Sequence, residues 1–450
     1  MFNCWNMRLA AESNGPEIIM KFCPAEQEGD LLAMMGMPQT IRARRLDREA
    51  EIFLRLANPF FNWTASEEHI DMLRRGWSSL AKALGRKVPV ASVVDREIDG
   101  PAGRMTLRIY TPDRRSDLKP GFLWCHGGGF VVGDLDANDS ICRSVARASG
   151  AIVVAVRYRM APEHCLYSGR EDFLTALRWV ASHGRAHGID PKRLAIGGDS
   201  AGGNISAAVA QENLRRGGPA LQRQVLVYPA TNLVEEFAST QENASGYMLT
   251  ADFIDSLKYL INRGEDMTDP WLSPAFASPA LLRALPPATI VTAGFDPIRD
   301  DGLAYADKLR MAGVPVELLH YPGQFHGFLN FDSIDSAARD AEARIGAALS
   351  AAFASEAAAD RTVEIADDMQ ADGVSGQVAV AGTLTAAMLV SRLTRQWCGE
   401  AARMLSPEGA QLAKMMLRPW WVPVALTRRS FTNYLNTPSP QQTYPLSMTG

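Results

Sequence analysis

The sequence predicts an α/β fold. A mostly parallel, eight-stranded sheet carries helices on both faces, with a helical cap and an extra helical C-terminal tail. Three observations lead there. Short apolar runs alternate with longer helix-compatible runs between residues 91 and 353, as in strand–helix units. A serine stands between two glycines, Gly198-Asp199-Ser200-Ala201-Gly202, where an apolar run ends and a helical one begins. A second glycine run, His126-Gly127-Gly128-Gly129-Phe130, follows an earlier apolar run.

Residues 1–85 read as amphipathic helices, the N-terminal part of the cap. Leu31 to Met37 is rich in methionine, and Ile41 to Leu56 and Ile70 to Leu84 carry apolar residues at helical spacing. Met34, Met35, Met37, Phe60, Phe61 and Trp63 suit either an adaptable apolar pocket or ordinary helix packing. Residues 86–355 read as the main α/β domain. Its strands are Ala91 to Ile98, Met105 to Tyr110, Gly121 to Cys125, Ala151 to Val156, Arg193 to Ile196, Gln224 to Tyr228, Ala288 to Thr292 and Val316 to Tyr321. Helices fall over Asp136 to Ala148, Glu171 to His187, Ile205 to Leu214, Asp300 to Ala312 and Ser333 to Phe353. A long helical insertion, about residues 235–265, interrupts the alternation and supplies a second piece of the cap. The extension, 356–450, has a linker-like start, then alanine, methionine and tryptophan, and a Pro/Ser/Gln/Thr-rich end.

Composition narrows the function. The chain has 450 residues, 47% of them hydrophobic, enough for a large core and more than one minimal domain. A net charge of -4 gives no sign of a nucleic-acid partner. Cys4, Cys23, Cys125, Cys142, Cys165 and Cys398 lack C-x-x-C spacing, which argues against a zinc site, a redox pair or a disulfide scaffold. Met1 to Pro16 has no continuous apolar stretch of signal-peptide type, and no apolar run reaches membrane-spanning length. The expectation is a cytoplasmic protein with reduced thiols.

The serine motif has the spacing of the nucleophile elbow of α/β-hydrolases. A hydroxyl that must stand clear of the sheet needs a very sharp strand-to-helix turn. Residues two before and two after it then nearly collide, so Gly198 and Gly202 must lack side chains. The following helix points its N–H groups at Ser200, where negative charge develops during acyl transfer. A glycine run lets backbone N–H groups turn toward one point, and the expected oxyanion donors are those of Gly127, Gly128 and Ala201. His126 reads as a residue that orients this loop. The third partner should follow the serine in the order acid, then histidine. Asp296 stands at the end of a strand, whereas Asp300 and Asp301 open the next helix, where acids are favoured by the dipole. His326 lies in the loop after the last strand and reads as the base; His320 lies within that strand. His183 and His187 have the i, i+4 spacing of a metal pair but no acid nearby, and His69 sits on a charged face.

Together with Tyr158-Arg159-Met160-Ala161-Pro162-Glu163-His164, Asp296-Pro297-Ile298-Arg299-Asp300 and His326-Gly327-Phe328, these motifs resemble the hormone-sensitive-lipase family of carboxylesterases, G-D-S-A-G subgroup, over roughly residues 40–353. The resemblance implies a cap made from the N-terminal segment plus the 235–265 insertion. It implies a motif-supporting role for Glu163 and His164 beside His126, Gly129, Gly198, Asp199 and Gly202. The family usually continues the Glu163-His164 motif with prolines, where this chain has Cys165-Leu166-Tyr167.

The function expected is a serine carboxylesterase acting on short- to medium-chain acyl esters through an acyl-enzyme, with no metal and no cofactor. The alternatives are an amidase, formamidase or lactonase using the same triad, or a non-catalytic hydrolase-fold receptor, which would lack a triad member. The oligomeric state stays open. In the tail, Arg392, Arg395, Arg403, Lys414, Arg418, Arg428 and Arg429 are interleaved with Trp397, Trp420 and Trp421. That mixture fits either a segment on an anionic membrane surface or a helical appendage packed on the protein. A chain cut near Glu356 is expected to fold and to stay active.

Overall fold

The computed structural model of the chain describes residues 45–58, 64–114 and 117–365. One sheet forms its centre, with β1 Ser92–Gly100, β2 Gly103–Thr111, β3 Lys119–Cys125, β4 Ile152–Val156, β5 Ile189–Asp199, β6 Leu221–Val227, β7 Ala288–Phe295, β8 Val316–Phe325 and β9 Arg361–Glu364. Their spatial order is β1-β2-β4-β3-β5-β6-β7-β8-β9. β2 runs antiparallel to both β1 and β4, and every other pairing is parallel. β4 and β8 are buried along their whole length; β4 reads as an unbroken apolar run, whereas β8 also carries Glu317, His320 and Gln324. β1, at the edge, is mostly exposed and carries Asp95, Arg96, Glu97 and Asp99. Charges of this kind keep an edge from pairing with another chain.

Two helical layers cover the sheet. α3 (Asp139–Ser149) packs on α10 (Ser336–Phe353), and α4 (Leu166–His183) packs on α5 (Ala201–Arg215); α9 (Arg299–Met311) lies on β7. The eight strands expected from the sequence are present, and the sheet gains a ninth. β9 pairs in parallel with β8, from Glu317↔Arg361 to His320↔Glu364. Arg361 reaches Glu317 Oε1 at 2.6 Å, Arg310 reaches Asp360 at 3.0 Å, and Ile365 is buried beyond the strand's end. A polar Arg-Thr-Val-Glu strand carries no apolar run, so pattern reading passed over it. The insertion also differs from one long helical piece. It holds two short helices, α6 (Ala238–Glu242) and α7 (Ala251–Ile261), and Thr250 Oγ1 caps the second by accepting the Phe253 N–H at 3.1 Å.

Of the helical segment expected over residues 1–85, the structure describes α1 (Arg48–Ala57) and α2 (Ile70–Leu84). Met34, Met35, Met37, Phe60, Phe61 and Trp63 lie outside the described residues, as does the tail beyond 365. α1 buries Ala50, Phe53, Leu54 and Ala57; the Phe53 ring lies 5.5 Å from Phe325 and 4.5 Å from Phe331. Its start is tied to the turn before the last loop, Asp47 N to Gly323 O at 3.0 Å and Gln324 Nε2 to Asp47 Oδ2 at 2.8 Å. The N-terminal segment and the insertion are joined by hydrogen bonds. Ala65 N donates to Ser256 Oγ at 2.8 Å, and Asn58 bonds both Gly246 O and Met248 N.

We propose from β9 that the catalytic unit ends at Ile365 and not at 355. A chain ending after Ile365 is expected to melt close to the full-length protein. A chain ending at Glu356 bares the edge of β8 and loses the burial of Ile365, worth about 2 kcal/mol. Its melting temperature should fall by several degrees. Equal melting temperatures for the two truncations would show that β9 contributes nothing.

Candidate active site

Ser200 lies between the end of β5 and the start of α5, with φ 56° and ψ -120°, a left-handed conformation strained for a residue with a side chain. The glycines around it are a steric requirement. A Cβ on Gly198 would lie 2.3 Å from the Cys125 carbonyl oxygen, and one on Gly202 would lie 2.0 Å from the same oxygen. The turn is tied to the sheet, Ser200 N donating to Val227 O at 2.8 Å.

β7 and β8 bring the other partners. His326 follows β8 and Asp296 follows β7. His326 Nε2 is 2.9 Å from Ser200 Oγ, and His326 Nδ1 is 2.8 Å from Asp296 Oδ2. Asp296 is fully buried. Its other oxygen accepts the Ile298 N–H at 2.9 Å, and Asn243 Nδ2 donates to its backbone carbonyl at 3.1 Å. The Tyr228 ring packs on the imidazole at 4.7 Å between centroids. This is the arrangement in which an imidazole takes a proton from a hydroxyl while a buried carboxylate fixes its tautomer.

The glycine loop needs one correction. The Gly127 N–H, expected to hold an oxyanion, is donated to Asp199 Oδ1 at 2.8 Å. Gly128 and Gly129 line the cleft with Ser200 and Ala201, and neither of their N–H groups is donated to an acceptor among the described residues. Ala201 is the first residue of α5, whose N–H has no intrahelical partner. That leaves the N–H groups of Gly128, Gly129 and Ala201, three residues that line the cleft with Ser200, without an acceptor among the described residues. His126 is buried, and burial holds its pKa below the usual value, so the ring is neutral. It stacks on Tyr158 at 4.4 Å and does not approach Ser200.

The cleft over Ser200 measures about 1500 Å3 out to its open mouth. Its walls are apolar, from Leu73 and Trp77 of α2, Phe130 and Val132 after the glycine run, and Phe253, Ile254 and Leu257 of α7. Glu163 is remote from the chemistry and joins cap to loop. Its carboxylate takes two hydrogen bonds from Arg74 of α2, at 2.7 and 2.8 Å, which hold its pKa down to about 2. Arg74 also donates to the Val131 and Ala161 carbonyls at 2.8 and 3.0 Å. His164 is exposed beside Glu163, and its backbone N–H donates to the Met160 carbonyl at 3.0 Å.

The comparisons agree with this geometry. A family model described as an α/β hydrolase fold matches residues 122–330. The esterase LipI of Mycobacterium tuberculosis is 43% identical over 258 residues, spanning 57% of this chain and 81% of that protein. The chain belongs to the hormone-sensitive-lipase family of α/β-hydrolases. An ethyl acetate hydrolase of Pseudomonas putida is 37% identical over 51% of this chain and 73% of that one. Among solved structures, a hyperthermophilic esterase from the archaeon Pyrobaculum calidifontis aligns with a TM-score of 0.63 at 35% identity, covering 68% of this chain and 99% of that chain.

Three features of this family member were not read from its sequence. Asp301, read as a dipole-favoured helix acid, is buried in the cleft wall and accepts from Thr231 Oγ1 at 2.5 Å and Asn232 N at 3.1 Å. Asn243, from the insertion, braces the backbone of Asp296. Tyr158 donates to the His126 carbonyl at 3.0 Å. None of the three has a motif spacing that marks its role, though Tyr158 opens a recognised segment. His183 and His187 stack on Trp179, at 5.6 and 5.2 Å, and no group of three His, Cys, Asp or Glu among the described residues could hold a metal ion. No helix among the described residues is long and apolar enough to cross a membrane.

Burial raises the pKa of Asp199 to about 6 and that of Asp301 to about 7, from 3.8, against the hydrogen bonds each accepts. The folded state thus keeps protons that the unfolded chain gives up near pH 4. This stabilisation is fully present below that pH and is lost as pH rises through 6 and 7. Asp301→Asn keeps an acceptor and removes one titration. Denaturant unfolding from pH 4 to 7 should show a flatter decline for the variant, the difference reaching at most about 1.4 kcal/mol per pH unit. Identical slopes would contradict the burial of a titrating Asp301.

Proposed function

We propose that the chain is a serine carboxylesterase that forms an acyl-enzyme on Ser200. It is a carboxylic ester hydrolase. The observation that carries the proposal is the unbroken hydrogen-bond chain Ser200–His326–Asp296, at 2.9 and 2.8 Å, opening into an apolar cleft. His326 takes the serine proton as Oγ attacks the ester carbonyl, and Asp296 stabilises the imidazolium. The carbonyl oxygen becomes an oxyanion against the N–H groups of Gly128, Gly129 and Ala201. His326 then protonates the leaving alcohol, and water repeats the cycle on the acyl-enzyme. These steps draw on side chains and backbone alone.

The substrate is a small-molecule ester. Short to medium acyl chains are proposed because Trp77, Phe253 and Leu257 crowd the cleft over the serine. A receptor that only binds would not need all three triad members. A matched ester and amide separate the esterase from the amidase and formamidase readings, and a lactone compared with its open-chain ester separates it from the lactonase reading. A cytoplasmic location remains part of the proposal, with Cys125, Cys142 and Cys165 as free thiols.

Ser200→Ala should lower kcat by on the order of a million-fold with an unchanged melting curve, and His326→Ala by nearly as much. Asp296→Asn should lose about four orders of magnitude. Full activity in any of these would overturn the assignment. Rates on a series of acyl esters should fall beyond about ten carbons, and a steady climb with length would contradict the crowded cleft.

A further inference from the structure

The glycine loop is held by more than its own backbone. The peptide group between His126 and Gly127 is fixed at both ends. Its N–H donates to Asp199 Oδ1 at 2.8 Å, and its carbonyl accepts from the Tyr158 hydroxyl at 3.0 Å. The next peptide group, between Gly127 and Gly128, has its carbonyl 2.9 Å from His126 Nδ1. A carbonyl only accepts, so Nδ1 carries the proton, which suits a buried neutral ring. The N–H at the other end of that second peptide group belongs to Gly128, a residue that lines the cleft, and it has no acceptor among the described residues.

These restraints are rigid. Asp199, His126 and Tyr158 are 4%, 2% and 4% exposed. A Cβ on Gly127 would come within 2.5 Å of Asp199 Oδ2, so the loop already lies against that carboxylate. Asp199 also immediately precedes the nucleophile. One residue therefore registers the oxyanion loop against the serine.

We propose that Asp199 is a positioning residue for the reaction, holding the His126–Gly127 peptide group so that the N–H groups of Gly128 and Gly129 meet the oxygen of the substrate carbonyl. The inference rests on the serine-esterase reading above. Donors fixed in advance are worth most when charge appears only in the transition state. Loss of the restraint should therefore act on kcat and leave KM nearly alone.

The experiment measures kcat and KM for a small acyl ester on the full-length protein and its variants. Asp199→Ala removes the acceptor, and kcat should fall by about 10- to 100-fold, less than the loss of a whole oxyanion donor. KM should stay within about threefold. Asp199→Asn keeps an acceptor oxygen and should restore kcat to within about fivefold of wild type. Tyr158→Phe frees the other end of the same peptide group, and its kcat should fall by about 3- to 10-fold. If Asp199→Ala does not fold, Asp199→Asn and Tyr158→Phe carry the test. An unchanged kcat in Asp199→Ala, an equal loss in Asp199→Asn, a loss confined to KM, or an unchanged kcat in Tyr158→Phe would each overturn the proposal. No ester turnover in the wild-type protein would instead overturn the esterase reading itself.

Discussion

The carbonyl oxygen of Cys125 is the point on which the site depends. It is crowded by the backbone on either side of Ser200, so closely that a single methyl on Gly198 or Gly202 would overlap it. That contact exists because β3 and β5 are parallel neighbours in register, Cys125 opposite Gly198. Both strands end at the same level. The loop that leaves β3 and the turn that leaves β5 are thereby brought together, and the Gly127–Asp199 hydrogen bond spans the gap between them. β7 and β8, farther along the same sheet, deliver Asp296 and His326 to the same rim. Ligands of open parallel sheets bind outside the carboxyl ends of the strands, and here four such ends supply every reacting group.

The cap adds the apolar walls. α2 and α7 both line the cleft, and both are held by polar contacts. Arg74 clamps α2 to the loop carrying Glu163, while Asn58 and Ser256 join the N-terminal segment to the insertion. Surface ion pairs are worth little, but a bidentate arginine with two further carbonyl acceptors has the geometry that makes one count. Two buried carboxyls, Asp199 and Asp301, stand behind the opposite wall. Both bond to segments that shape the cleft, and burial raises both pKa values toward neutrality.

The fold was legible wherever burial on both faces forced an unbroken apolar run. β4 is the plain example; β7 and β8 are as deeply buried but are interrupted by Thr289 and Thr292 and by Glu317 and His320, and their apolar residues still marked them as strands. Ser200, Asp296 and His326 could be read because each sits just past such a strand. The oxyanion donors were legible only as a loop. Sequence cannot say which of three consecutive glycines donates its N–H to a neighbour, and the Gly127 N–H is donated to Asp199. β9 escaped because its pairing is edgewise and its side chains polar. Asp301 and Asn243 escaped because their partners, Thr231 and the Asp296 carbonyl, are brought near only by tertiary packing.

The central claim is that Ser200 is the nucleophile of this cleft. It is tested most directly by inactivating the protein with a serine-directed phosphonate and mapping the adduct by peptide mass spectrometry. One adduct per chain is predicted, on the peptide that contains Ser200, with loss of ester turnover in proportion to labelling. Inactivation with the adduct on another residue, or full labelling of Ser200 with turnover intact, would contradict it.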